Sequence, residues 1–392
     1  MIKNKIIKLS SLTIYLLSLA QVAKRTVLSE TLEYSPWSFS ELLVSYPDQF
    51  TRRGLIGEVV QVIDQDSILF DTVNDIVFVN FTVFILLSFI LIKLSNLSSI
   101  QHFIYLTSIF GILNLTLFNQ YYHRKEMFVL NLFMFVLLII RLTSNKNVIF
   151  ITISICSILM ILIHEGIAMI SIPFIIFICK EYLRIPRNIL YMYSTIVSLT
   201  FLIVIISAGS DAASQAIWNG LSEFDKSQII IDPNAITAIG WSLFDSFFKT
   251  TQVLIFSGSM FLWTFYLILF AVTLTLIFKV NPYRLNLKVS TIKSFFIEEK
   301  YFLIIPVLFI VGFDWGRWIF TLFHLCFFSY LILKKDNIKT ISNWSFPIIS
   351  LIIVSLLTIM PECCLQMSGT TVSSNYYRVF KSIQITIQSL LN

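Results

Sequence analysis

The chain has 392 residues, of which 57% are hydrophobic, 15% aromatic and only 13% charged. Its mean hydropathy of +0.84 excludes a soluble globular domain and predicts an all-α polytopic membrane protein. The net charge of +6 says little as a sum, because topology is carried by where Lys and Arg fall between apolar runs.

Apolar runs of membrane-helix character occupy 6–23, 76–92, 100–118, 127–140, 148–163, 166–179, 189–208, 252–278, 301–313, 318–333 and 346–360, which predicts about eleven transmembrane helices. Lys3, Lys5 and Lys8 precede the first run and no small-residue cleavage site follows it, so the expectation is a retained anchor with its N-terminus inside. On that topology the inside loops hold most of the 28 Lys and Arg, as orientation by positive charge requires. Of the carboxylates, only Glu181, Glu298, Glu299 and Asp336 fall inside. The larger outer segments are 24–75 and 209–250, with an outer tail over 362–392. None is rich in Gly or Pro, so a single integral membrane domain over 1–392 is expected.

In the first outer segment, Pro36-Trp37 followed by Glu41, Leu42, Leu43 and Val44 reads as the start of an amphipathic helix at the interface, and Leu55–Ile63 as a second one. Between them lies Arg52-Arg53-Gly54, with Gly57 close behind. Two guanidinium groups beside accessible backbone amides suit a phosphate or pyrophosphate; the plainer reading is a basic pair touching lipid headgroups. The next tip, Tyr122-His123-Arg124-Lys125-Glu126, is either an ordinary belt of aromatic and snorkelling side chains or a site where Glu126 orients Arg124 and Lys125 towards a donor phosphate near His123.

Two apolar stretches are interrupted at their middle. Val148–Cys179 carries His164-Glu165-Gly166, and Tyr301–Leu333 carries Asp314-Trp315-Gly316-Arg317. Intramembrane ionisable groups cost roughly 2.5–3.5 kcal/mol each, so their retention marks a partner, water or a substrate. Basic residues flank both ends of each stretch: Arg141 and Lys146 with Lys180, Arg184 and Arg187, then Lys300 with Lys334 and Lys335. Each stretch is therefore expected to go out and return as a hairpin, with its polar tip outward. A partly desolvated Glu165 is expected to have a raised pKa and to act as a general base, tuned by His164 or an arginine. Asp314 and Arg317, three residues apart, make either a helical ion pair or a binding surface. In the second case Trp315 and Trp318 face sugar rings, Arg317 meets an anion and Asp314 accepts hydroxyls. His324 reads as a buried packing residue.

The five cysteines lack metal-ligand spacing, and the paired-histidine zinc helix is absent, so no metal is expected. There is no phosphate-binding Walker loop, no dinucleotide glycine fingerprint and no serine nucleophile elbow, and no inside segment is large enough for a nucleotide-sugar domain. Nucleic-acid partners and soluble cofactors are not expected.

Arg-Arg-Gly in a long first outer loop, then Arg-Lys-Glu, His-Glu and Asp-Trp-Gly-Arg at successive outward positions, resemble the pattern of a bacterial Wzy-type O-antigen or capsule polymerase. The likeness lies in length, helix number and composition over the whole chain. It implies a multi-pass, GT-C-like inner-membrane glycosyltransferase with a cytoplasmic N-terminus and a periplasmic active face. Such an enzyme joins undecaprenyl-diphosphate-linked oligosaccharides without a metal or other cofactor, in contact with membrane lipids and with a chain-length regulator as a further partner. Under that resemblance Arg52, Arg53, Arg124 and Arg317, with Lys125, Glu126 and Trp315, bind substrate and neutralise the diphosphate. Glu165 or Asp314, with His164, handles the proton. Two alternatives stand beside it: a GT-C glycosyltransferase using a polyprenyl-phosphate sugar, and a lipid-linked glycan transporter.

Overall fold

The computed structural model describes residues 2–47, 50–64, 68–95, 97–117, 121–207, 209–229, 234–240, 259–278, 302, 304–311, 315–333 and 349. Among them every regular element is helical: α1 Ile2–Thr26, α2 Pro36–Leu42, α3 Leu55–Ile63, α4 Phe70–Lys93, α5 Ser99–Thr107, α6 Ile112–Leu117, α7 Lys125–Leu142, α8 Lys146–Ile163, α9 Glu165–Glu181, α10 Arg187–Ile206, α11 Asp211–Gly220, α12 Glu223–Gln228, α13 Ser259–Phe278, α14 Ile304–Val311 and α15 Trp315–Leu333, with 3₁₀ turns at Tyr121–His123 and Thr237–Gly240. Five segments, Lys5–Thr26, Phe70–Lys93, Lys146–Ile163, Arg187–Ile206 and Gly316–Leu333, are long and apolar enough to cross a membrane. The chain is a membrane protein. The expected span 346–360 apart from Ile349, the tail 362–392 and the whole of 241–258 lie outside the described residues.

The run 100–118 departs from the expected single span: it forms α5 and α6, separated by Ser108, whose extended backbone (φ −62°, ψ 161°) ends the first helix. The Tyr15 hydroxyl meets His102 Nε2 at 2.9 Å, and the Thr116 and Ser18 hydroxyls meet at 3.1 Å. These contacts run α1 and α5–α6 side by side in the same direction. Parallel stacking of Tyr105 on Phe327, with ring centroids 4.2 Å apart, then seats α5 on α15. His324 is fully buried among Phe84, Tyr105 and Phe320, as a packing histidine.

The break between α8 and α9 is a single extended residue. His164 (φ −161°, ψ 99°) donates its amide to Met160, ending α8; its carbonyl accepts from Ala168 and its Nδ1 from Ile167, opening α9. Arg141 Nη1 lies 3.5 Å from the Tyr182 hydroxyl, so the far ends of α7 and α9 meet. With α8 returning between them, α8 and α9 form a hairpin with His164-Glu165 at its tip. The same end of the bundle carries the starts of α4, α7 and α15 and the ends of α1 and α6. Tyr34 hydrogen-bonds Asn74 at 2.9 Å and stacks on His123, while Arg25 donates to the Thr116 carbonyl.

Both large connecting segments fold over this end. Ala235 donates its amide to Ser40 Oγ at 3.0 Å, and Asp225 accepts from the Leu69 amide at the start of α4 at 3.2 Å. The expected interfacial helix at Pro36 is instead interior: Ser38, Phe39, Ser40, Glu41 and Leu42 are all buried. Segment 234–240 and the helix bundle cover the face that sequence periodicity assigned to lipid. α3 does keep an exposed apolar edge, Val59, Val62 and Ile63, over a buried Ile56 and Val60.

Candidate functional site: a buried charge cluster

Charged residues from five separated segments converge at this end of the bundle. Their hub is Glu41, at the C-terminal end of α2. Its carboxylate accepts from Arg317 Nη2 at 3.1 and 3.3 Å through its two oxygens, and it lies 3.6 Å from Arg124 Nη1 and 3.7 Å from His164 Nε2. Arg317 Nε also pairs closely with Glu126 Oε1. Lys125, directly before Glu126, donates to the backbone carbonyl of Arg53. The side chains of Glu41, Arg124, Glu126, His164 and Arg317 are all within 4% of complete burial. Burial pushes the Glu41 carboxyl upward, but Arg317, His164, Arg124 and Lys125 together outweigh it and hold the group ionised, far below the ordinary carboxylate range.

Arg53 and Glu165 form the open edge of the cluster. The guanidinium donates through Nε to both carboxylate oxygens at 3.0 Å, with Nη2 at 2.9 Å from Oε1; the Arg53 side chain is 34% exposed and that of Glu165 12%. Arg53 sits in the left-handed region (φ 65°), a costly conformation for a residue with a Cβ. It is held there by this fork and by Lys125 on its carbonyl. Arg52 reaches the Ile239 carbonyl at 3.4 Å, tying the site to the second connecting segment.

Several expectations need correction. Glu165 stands just ahead of the apolar run of α9; burial favours its neutral form, but Arg53 and then His164 reverse this and lower its pKa to about 2 rather than raising it. In this state it is a carboxylate locked to arginine, and it becomes a useful base only once Arg53 turns away. Gly54 and Gly57 have a packing reason of their own. A Cβ on Gly54 would stand 2.0 Å from the Tyr46 ring, and one on Gly57 2.1 Å from the Val44 carbonyl oxygen, so both glycines let loop and helix approach closely. Arg124, Lys125, Glu126 and Arg317 are not a surface array: Arg124 and Arg317 meet Glu41, Glu126 meets Arg317, and Lys125 meets the Arg53 carbonyl, all in the interior. His123 stacks on Tyr34 with centroids 4.6 Å apart and is buried, and burial and then Arg124 keep its pKa well below the usual histidine value. Asp314 and the side chain of Trp315 lie outside the described residues, and Arg317 is engaged with Glu41 and Glu126.

Sequence reading therefore picked out Arg52, Arg53, Arg124, Lys125, Glu126, His164, Glu165 and Arg317 in separate stretches, and tertiary structure brings them into one cluster. It did not single out Glu41, which sits in an apolar run that reads as a surface helix. The available signal was a carboxylate set directly against the apolar run Leu42-Leu43-Val44. Even with Glu41 the described cluster holds five cations, Arg52, Arg53, Arg124, Lys125 and Arg317, against Glu41, Glu126 and Glu165. The starts of α7, α9 and α15 point their positive dipole ends at the same place. Glu126 Oε2, His164 Nε2 and both nitrogens of His123 are buried without a hydrogen-bond partner. Among the described residues no three His, Cys, Asp or Glu side chains converge as metal ligands. Chemically the arrangement is a desolvated positive field, suited to an anion, with Arg52, Arg53 and Glu165 half-buried at its edge. No family model matches the chain, and neither a curated relative nor a solved structure matches it.

Proposed function

We propose that this protein is a bacterial surface-polysaccharide polymerase: a multi-pass inner-membrane glycosyltransferase of about eleven spans and GT-C-like build. On its periplasmic face it joins undecaprenyl-diphosphate-linked repeat units. The observation that carries the reading is the cation excess, sunk into the end of a membrane bundle and, among the described residues of the cluster, partly open at Arg52, Arg53 and Glu165. A lipid-borne diphosphate is an anion that such a site reaches without a soluble nucleotide domain.

In the reaction, an acceptor hydroxyl attacks the anomeric carbon of the donor glycan. The carbon–oxygen bond to the diphosphate breaks, and undecaprenyl diphosphate departs with the bonding electrons. Arg53 and Arg52 meet the departing anion, and Arg124, Lys125 and Arg317 support it through the field of the interior. Exchange of Arg53 from Glu165 to the diphosphate releases the carboxylate from the interaction that holds its pKa down. Glu165 then takes the hydroxyl proton as the new bond forms. Substrate arrival thus turns on the base.

The test is deletion of the gene in its host, with surface polysaccharide resolved by gel, and complementation by Glu165→Gln and Arg53→Ala. Loss of the long ladder with a single repeat unit still attached supports the polymerase. Loss of that single unit as well would point to an earlier sugar transfer or to a transporter, and an unchanged ladder would discard the reading. Loss of extension in purified protein on chelation would favour the polyprenyl-phosphate glycosyltransferase instead.

A further inference from the structure

A cavity of about 830 Å³ lies between α3, α4, α7 and α8, within the size range of small-molecule sites. It runs from Thr72 to Leu87 along α4, roughly 22 Å at the helical rise per residue. Its walls are mostly apolar, with Thr72 and the acidic Asp75 towards one end of α4 and Asn80 and Asn131 partway along, and the exposed Val79, Val83 and Phe135 lie on its open side. One end abuts the charge cluster: Leu55 and Ile163 line the cavity and stand two residues from Arg53 and Glu165, and Phe128 stands two residues from Glu126. Partway along, Asn131 donates to the carbonyl and side-chain oxygens of Asn80 at 2.8 and 2.7 Å, which clamps α4 to α7 as the floor.

An open apolar trough that ends at an excess of buried cations has the two-part chemistry of a lipid with an anionic head. Building on the polymerase reading, we infer that this groove seats the polyprenyl chain of the donor lipid, with its diphosphate at Arg53. The Arg53–Glu165 pair at the mouth is where the leaving group must be neutralised, which assigns the groove to the donor; the acceptor lipid binds elsewhere. The exposed apolar edge of α3, carried by Val59 and Ile63, forms the outer lip over the chain.

The experiment places a photo-crosslinking p-benzoylphenylalanine at Val83, and for comparison at Leu202, an exposed apolar position on α10, a helix that does not line the groove. The full chain is reconstituted in vesicles of phosphatidylethanolamine and phosphatidylglycerol. Undecaprenyl diphosphate, or undecaprenol with the same chain and no charge, is then added. Labelling at Val83 by the diphosphate should exceed that by undecaprenol, and that at Leu202, by about tenfold, the ratio given by about 1.4 kcal/mol of selective binding. Arg53→Ala should remove that preference. Labelling by phosphatidylglycerol that undecaprenyl diphosphate does not displace would overturn the assignment, as would equal labelling at both positions. If the Val83 variant does not fold, Phe135 in the same groove takes the probe. Failure of labelling while Glu165→Gln still abolishes chain extension would remove the groove and leave the polymerase standing. Selective labelling with normal extension in Glu165→Gln would do the reverse.

Discussion

Replacing Glu41 by Gln tests whether the interior of the cluster is a structural charge network. The substitution keeps shape and one acceptor oxygen but removes the negative charge facing Arg317, Arg124 and His164. At an effective dielectric near 20, the Arg317–Glu41 contact alone corresponds to about 5 kcal/mol of Coulomb energy. Desolvation of both groups, already incurred in the parent, offsets much of this. The residual pairing of Arg317 with Glu126, together with the retained amide oxygen, softens the loss further. The expected destabilisation is about 3–5 kcal/mol, the usual consequence of leaving a buried cation uncompensated. Chemical unfolding in bicelles, followed by tryptophan fluorescence, measures it. Glu41→Gln/Arg124→Gln should recover at least about 1 kcal/mol relative to the single variant, because the second change removes one of the stranded cations. A single variant within about 1 kcal/mol of the parent, with no recovery in the double, would refute the assignment of Glu41 as the hub.

Glu165→Gln and Arg53→Ala should cost less than Glu41→Gln, about 1–3 kcal/mol each, because the Arg53 side chain is 34% exposed and that of Glu165 12%, while chain extension on the gel is lost. Stability of the parent should fall as pH drops below about 6.5, since His123 is held neutral in the folded protein and charges on unfolding. The unfolded state then binds the extra proton, and this site contributes a limiting slope of about 1.4 kcal/mol per pH unit, to which His164, also held neutral by burial, adds. His123→Phe keeps the ring against Tyr34 and should flatten that part of the profile in the same unfolding assay; an unchanged slope would exclude His123 as its source. Gly57→Ala should destabilise by about 1–3 kcal/mol through collision with the Val44 carbonyl, against the gain of about 1 kcal/mol that helix propensity alone predicts, and thermal melts of the two proteins decide between the signs.

Hydropathy and charge placement were enough to define the class of this protein and most of its helices, because lipid requires that backbone polar groups be satisfied within long apolar helices and that requirement is local. The same logic exposed His164-Glu165 and Arg317, whose charge inside apolar runs is anomalous residue by residue. What each charge faces is not local. Glu165 read in isolation predicts a carboxyl raised by burial; the structure supplies Arg53, 112 positions away in the chain, and reverses the sign. Arg317 read in isolation suggests Asp314, three residues away and outside the described residues; the fold brings it Glu126 and Glu41 from helices 191 and 276 positions distant. Glu41 itself looks like one polar edge of a surface helix until residues 234–240 and the starts of α7, α9 and α15 close around it. Pairing energy in a desolvated interior depends on distances of a few ångströms between segments remote in sequence. The presence of the charges could be read from the chain, but their compensation was decided only by the packing of the helices.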